Sequence, residues 1–149
     1  MSIFVDADAC PVRTEVTKVA DRHGLIVYMV ANGTMRMPES PNLRRVLVGE
    51  GLDVADDWIA GRIGKGDIAV TADIQLAARC LEQAAAVIGP TGRIFDANNI
   101  GHALAMRELK TQLRDMGEIR DHGPSFTKRD RSRFLRSLEE AVRRIQRPN

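Results

Sequence analysis

Apolar and polar positions fall in short blocks along this chain. Ile3-Phe4-Val5 is a continuous apolar run, as expected of a buried strand, and it predicts β-structure over residues 2–6. Pro11 suits the first turn of a helix, and Val12, Val16, Val19 and Ala20 recur at helical spacing through Arg22. His23-Gly24 places a glycine just past the last turn. Leu25 to Val30 predicts a second strand, Ala31 to Leu43 a loop holding Gly33, Pro38 and Pro41, and Val46 to Val48 a short third strand. Asp53 to Ile63 reads as a helix, Gly64-Lys65-Gly66 as a turn and Asp67 to Thr71 as a fourth strand. Ile74 to Ala86 is helical, and Val87-Ile88 is a short fifth strand ahead of Gly89-Pro90-Thr91-Gly92. The remainder predicts a helix over Ile100–Met116, a polar connector over Gly117–Pro124 and an amphipathic helix over Ser125–Ile145. In that last helix Phe134, Leu135, Leu138, Val142 and Ile145 face inward and the arginines outward. Strands alternating with helices predict an α/β fold, with a parallel sheet covered by helices on both faces. The chain shows no internal repeat and no low-complexity segment.

Composition narrows the class. A length of 149 residues fits one domain with a real core, residues 1–149, and 44% apolar with 28% charged residues is ordinary for a globular protein. No apolar run approaches the roughly 20 residues that span a membrane, and the first residues do not read as a signal peptide. Cys10 and Cys80 are too few for a disulfide framework and show no zinc spacing, so a reducing cytoplasm is the expected compartment. The net charge of +2 hides an asymmetry: residues 1–106 carry 10 Lys+Arg against 13 Asp+Glu, and residues 107–149 carry 12 against 7. A basic C-terminal segment, about 125–147, suits either polyanion binding or a solvated helix face.

The chemistry concentrates at strand ends. Asp6 and Asp8 close the first strand, and Thr71-Ala72-Asp73 closes the fourth. In a parallel sheet all strand C-termini share one edge, where ligands bind in open α/β folds, so Asp73 is expected near Asp6 and Asp8. Asp53, Asp56 and Asp57 open the helix before strand four and are placed to lean over the same edge. Clustered carboxylates suit Mg²⁺ or Mn²⁺, which would serve phosphodiester cleavage. Each acid also has a plain structural use. Asp53 is expected as a helix cap or dipole partner, and Asp73 as the N-cap of the next helix. Asp6 and Asp8, ahead of Pro11, have no obvious structural purpose.

Asp-Ala-Asp-Ala-Cys-Pro near the N-terminus, Val-Ala-Asp-Asp-Trp-Ile in the middle and Asp-Ile-Ala-Val-Thr-Ala-Asp-Ile-Gln-Leu-Ala further on resemble the YaiI/YqxD family of uncharacterised bacterial proteins. Gly-Pro-Ser-Phe with Asp130-Arg131 and Phe134 resembles its C-terminal region, so the likeness spans essentially the whole chain. That family is grouped with PIN-like domains, whose better-known members are metal-dependent ribonucleases. The resemblance implies a three-layer α/β/α sandwich around a mostly parallel sheet of four to five strands, with an acidic pocket. It matches Asp6 to the acid closing the first strand, Asp56 or Asp57 to the acid of the central helix, and Asp73 to the acid of the T-x-D turn. Gln75 stands where PIN nucleases often carry a further acid, and Asp8 is the residue available to compensate.

Three functions follow as expectations. The first is an Mg²⁺- or Mn²⁺-dependent nuclease acting on RNA, with Asp6, Asp8 and Asp73 catalytic and Asp6, Asp8, Asp56, Asp57 and Asp73 holding the metal. Arg36, Arg44, Arg45, Lys128, Arg129, Arg131 and Arg133 are then expected to face the phosphate backbone. The second is a PIN-like nucleic-acid-binding or interaction module without catalysis, in keeping with Gln75. The third is a phosphatase similar to the haloacid dehalogenases, with Asp6 as nucleophile and Lys65 as the phosphate-binding lysine. Cys10 reads as a small buried residue rather than a nucleophile, because neighbouring acids disfavour its thiolate. His23, His102 and His122 form no ligand spacing. Asn32-Gly33 reads as a plain turn or as a polar pocket wall, with the turn preferred, and Phe126 as either a stacking or a core residue.

Overall fold

In a computed structural model, which describes residues 1–33, 36–51, 53–117 and 125–147, the first apolar run becomes the centre of the molecule. Strand β1 is Ser2–Asp6, followed by a 3-10 turn over Ala7–Ala9 and helix α1, Arg13–His23. Then come β2 (Ile26–Ala31), β3 (Leu43–Leu47), α2 (Val54–Ala60), β4 (Ile68–Val70) and α3 (Ile74–Glu82). The chain continues through β5 (Ala86–Ile88), β6 (Ile94–Phe95), α4 (Ile100–Asp115) and α5 (Lys128–Gln146). Among the described residues the strands form one six-stranded sheet in the order β3-β2-β1-β4-β5-β6. The first five are parallel, and β6 pairs with β5 antiparallel.

Side-chain alternation splits the core into two layers. Ile3 and Val5 of β1 point to one face, with Val27, Met29, Ile68, Val70 and Ile88. There they meet Val16 and Val19 of α1 and Phe134, Leu138 and Val142 of α5. Phe4 points to the other face with Val30, Ala69 and Val87, against Ala55 and Ile59 of α2, Leu76, Ala77 and Cys80 of α3 and Ala103 of α4. Helices thus cover both faces of a mostly parallel sheet, giving a three-layer α/β/α sandwich. Among the described residues no helix is long and apolar enough to cross a membrane.

Several boundaries differ from the sequence expectation, each for a local reason. Strand β3 starts at Leu43, three residues early, because its backbone pairs with β2 from Val27 onward although its side chains are mostly exposed. Helix α3 stops at Glu82, where Ala84 turns left-handed (φ 64°) and feeds β5. Strand β6 was not expected; two residues are too few to show alternation. Helix α5 begins at Lys128, because Thr127 caps it and Asp130 returns the bond to the Thr127 N–H. Gly24 ends α1 as expected, at φ 66°. Of the connector expected over Gly117–Pro124, residues 118–124 lie outside the described residues, and so does His122.

The strand order reverses at the centre. From β1 the chain moves outward to β2 and β3, then returns to the other side of β1 for β4, β5 and β6. The carboxyl ends of β1 and β4 therefore flank the switch point, where open α/β sheets leave a crevice.

Candidate functional site

Asp6 ends β1 and Thr71 follows β4, so their side chains meet across the switch point. The Thr71 hydroxyl donates to Asp6 Oδ2 at 3.1 Å and accepts the N–H of Asp73 at 3.0 Å. Asp73 Oδ1 in turn accepts the N–H groups of Gln75 and Leu76, at 2.9 and 3.2 Å. Asp73 is thus the N-cap of α3, and the same bonds fix its carboxylate beside Asp6. A cleft of about 360 Å³ opens over these groups, bordered by Asp6, Cys10, Thr71, Asp73, Pro90 and Arg107.

The carboxylates feel one another. Burial pushes the Asp6 pKa up; the Thr71 hydrogen bond pulls it down, and Asp73 and Asp8 push it further up. Asp56, at the start of α2, is pushed up to about 6 by burial and then by Asp73, Asp6 and Asp53, with Arg79 acting the other way. Asp57, its neighbour, turns to an ion pair with Arg79 at 2.8 Å. Of the two acids expected from the central helix, Asp56 is the one electrically joined to Asp6 and Asp73. Among the described residues, however, no three His, Cys, Asp or Glu side chains form a ready metal-binding group.

Asp8 takes a different place from the one its spacing suggests. The chain leaves the sheet after Asp6, so Asp8 lies on the 3-10 turn and its Oδ2 accepts the Asn32 N–H at 2.9 Å. The Asn32 amide donates to the Gly49 carbonyl at 3.2 Å, so Asn32 bridges two strand ends rather than making a plain turn. Asp53 occupies the N-cap position of α2, as expected, in a left-handed conformation (φ 62°) and with no side-chain cap bond, which leaves its charge beside the helix N-terminus. Burial pushes the thiols of Cys10 and Cys80 up to about 11 and about 12, so neither is a nucleophile at neutral pH. Lys65 lies in the turn before β4, at the amino edge of the sheet and away from Asp6, which removes the phosphate-binding lysine of the phosphatase reading.

The basic candidates divide into two groups. Arg131 pairs with Glu15 near the start of α1 at 3.2 Å and lies over the Phe126 ring. The backbone of Arg133 packs on Gly92, in the turn after β5. Both contacts set the beginning of α5, with exposed Lys128, Arg129 and Arg133, at the same edge of the sheet as Asp6. Phe126 packs partly buried against the core. Arg44 and Arg45 instead lie on the edge strand β3, on opposite faces, and Arg44 Nη1 donates to the Pro41 carbonyl at 2.8 Å. Arg36 is exposed in the segment before them. Sequence reasoning missed Arg107. It lies about 100 residues from Asp6, on a helix whose charges resemble an ordinary solvated face, and only the packing of α4 against α3 brings it to the cleft. Thr71 was signalled only by the T-x-D spacing.

Comparison with known proteins agrees with the motifs. The model of the family described as "Uncharacterized BCR, YaiI/YqxD family" matches residues 4–144. A UPF0178 protein of Parvibaculum lavamentivorans is 56% identical over 145 residues, covering 97% of this chain and 95% of the relative. Relatives of the same name are 54% identical in Rhizobium meliloti (97% of this chain, 99% of the relative) and 53% identical in Rhodospirillum rubrum (99% of each). No solved structure matches the chain. On a match that runs from β1 into α5, the chain belongs to the YaiI/YqxD family.

Proposed function

We propose that the protein is a divalent-cation-dependent phosphodiesterase acting on RNA, with Asp6, Asp56 and Asp73 holding Mg²⁺ or Mn²⁺. The observation that carries this reading is that Asp6 and Asp73 line one cleft at the switch point of the sheet, tied together by the Thr71 hydroxyl, which donates to the Asp6 carboxylate and accepts the Asp73 N–H. The upward pressure on Asp6 and Asp56, from burial first and then from neighbouring acids, supports it, because carboxylates that repel one another are relieved by a hard cation. A cation held by these residues would supply charge stabilisation for the phosphoryl oxygens and would lower the pKa of a water. The remaining work falls to the chain itself. Thr71 orients Asp6, and the first turn of α3 fixes Asp73. Arg107 offers a planar guanidinium to phosphate oxygens from the far wall. Lys128, Arg129 and Arg133 add positive charge at the same edge. Asp8 and Asp57, engaged with Asn32 and Arg79, are assigned an outer place. Asp6→Asn is expected to abolish Mn²⁺-dependent RNA cleavage while leaving the circular dichroism spectrum and melting curve cooperative. Wild-type protein that cuts neither RNA nor single-stranded DNA with Mn²⁺ present sinks the reading.

A second reading is a nucleic-acid-binding module without catalysis. It is favoured by the lack, among the described residues, of three acids at metal-binding spacing. It expects no cleavage, with oligonucleotide binding unchanged by EDTA and by Asp6→Asn.

A further inference from the structure

A second cleft, of about 320 Å³, adjoins the acidic one and shares Ile74 and Arg107 with it. Its character is opposite. Arg93, Arg107, Lys110 and Arg114 line it together with His102, and among the described residues no carboxylate does. On α4 the positions 102, 103, 106, 107, 110 and 114 form one helical stripe. Ala103 is buried against α3, while Met106, Arg107 and Lys110 beside it are exposed. The stripe that would ordinarily continue the apolar seat is thus basic and faces a groove. Arg93 completes the groove from the turn before β6, its guanidinium carbon over the Phe95 ring at 4.8 Å from the centroid.

We propose that this groove carries the phosphodiester backbone of a single nucleic-acid strand and delivers it to the acidic cleft, Arg107 being the residue common to both. The inference rests on reading the acidic cleft as a phosphodiester site, and it names the route by which that site is reached. Arg107 to Arg114 spans seven residues, about 10 Å of helix, which is long enough to face successive phosphates. Each cleft has the volume of a small-ligand site. Guanidinium and ammonium groups attract phosphates without reading bases, and among the described residues no Phe, Tyr or Trp lines the groove, so recognition here is chiefly of the backbone.

The test uses fluorescence anisotropy of labelled single strands of about 12 nucleotides, one of RNA and one of DNA, with the full chain in EDTA. Binding is thereby read apart from cleavage. The double variant Arg107→Gln/Lys110→Gln replaces two exposed side chains and should fold normally. It is expected to weaken binding at least about tenfold, and to flatten the dependence of log affinity on log salt by about 1.4, two cations at about 0.7 each. The charge-matched variant Lys18→Gln/Arg62→Gln, on α1 and at the amino edge, should bind as wild type. Equal losses in both variants, no loss in the groove variant, or no binding of either strand overturns the groove. Equal affinity for both strands assigns recognition to phosphates alone, and preference for RNA adds contacts to the 2′-hydroxyl. Intact groove binding without Mn²⁺-dependent cleavage overturns the phosphodiesterase and leaves the groove standing. Cleavage with unchanged binding in the groove variant does the reverse.

Discussion

Asp56 shows how a single side chain reports on its neighbours. Burial first, then Asp73, Asp6 and Asp53, lift its pKa from an ordinary 3.8 to about 6, against the pull of Arg79. Between these values the folded chain holds a proton that the unfolded chain has released. The stability Asp56 contributes is therefore fully present below about pH 4 and is lost as pH rises through about 6. Asp56→Asn should raise stability in EDTA above pH 6, by about 1 kcal/mol once solvent screening of this half-buried group is allowed for, and leave it unchanged below about pH 4. Thermal melts across that range check the prediction; an equal gain at both ends would mean that charge is not the cause. Asp6 and Asp73 were legible in the sequence because each closes an apolar run, and a parallel sheet gathers such ends. Asp8 was legible as a neighbour of Asp6, whose pKa it pushes up, but its bond to the Asn32 N–H was not, because that depends on the turn the backbone makes at Ala7.

At the scale of elements, one contact decides how α5 meets the sheet. Gly92 has φ 93°, and a Cβ there would stand 2.7 Å from the Arg133 backbone. The Gly92 carbonyl also accepts the Ser137 hydroxyl at 2.7 Å. Gly92→Ala must either push α5 outward or strain the turn, and a cost of roughly 2 kcal/mol is expected in urea unfolding. A variant as stable as wild type would show that the helix yields freely. The long periodic segments were readable because twelve or more residues of pattern outweigh local exceptions. Strand β6 and the end of α3 were not, because a two-residue pairing and one left-handed alanine leave no pattern to read. The same holds for Arg107. Its helix was predicted, but the part of that helix facing the cleft depends on packing against α3.

Across the whole molecule, α5 is a structural layer as much as a basic surface. Phe134 is wholly buried between α1 and the sheet, while the single tryptophan, Trp58, lies with Phe4 and Tyr28 on the opposite face. Phe134→Ala should cost roughly 3–5 kcal/mol. Trp58 fluorescence and helical circular dichroism should fall in one shared transition; two separate transitions would show that α5 unfolds on its own. The asymmetry of charge between the two parts of the chain was legible from counting. Its meaning was not, because the basic residues divide among α5, α4 and the β3 edge. The Asp8–Asn32–Gly49 bonds acquire a mechanical sense from this layout. They strap the ends of β1, β2 and β3 into a braced jaw on one side of the crevice. The opposing jaw is α4, seated by Ala103 as its one buried residue among those described. The Arg107 wall of the crevice therefore follows how α4 rests on α3, so a larger residue at Ala103 would reshape the cleft without replacing any of the acids that line it.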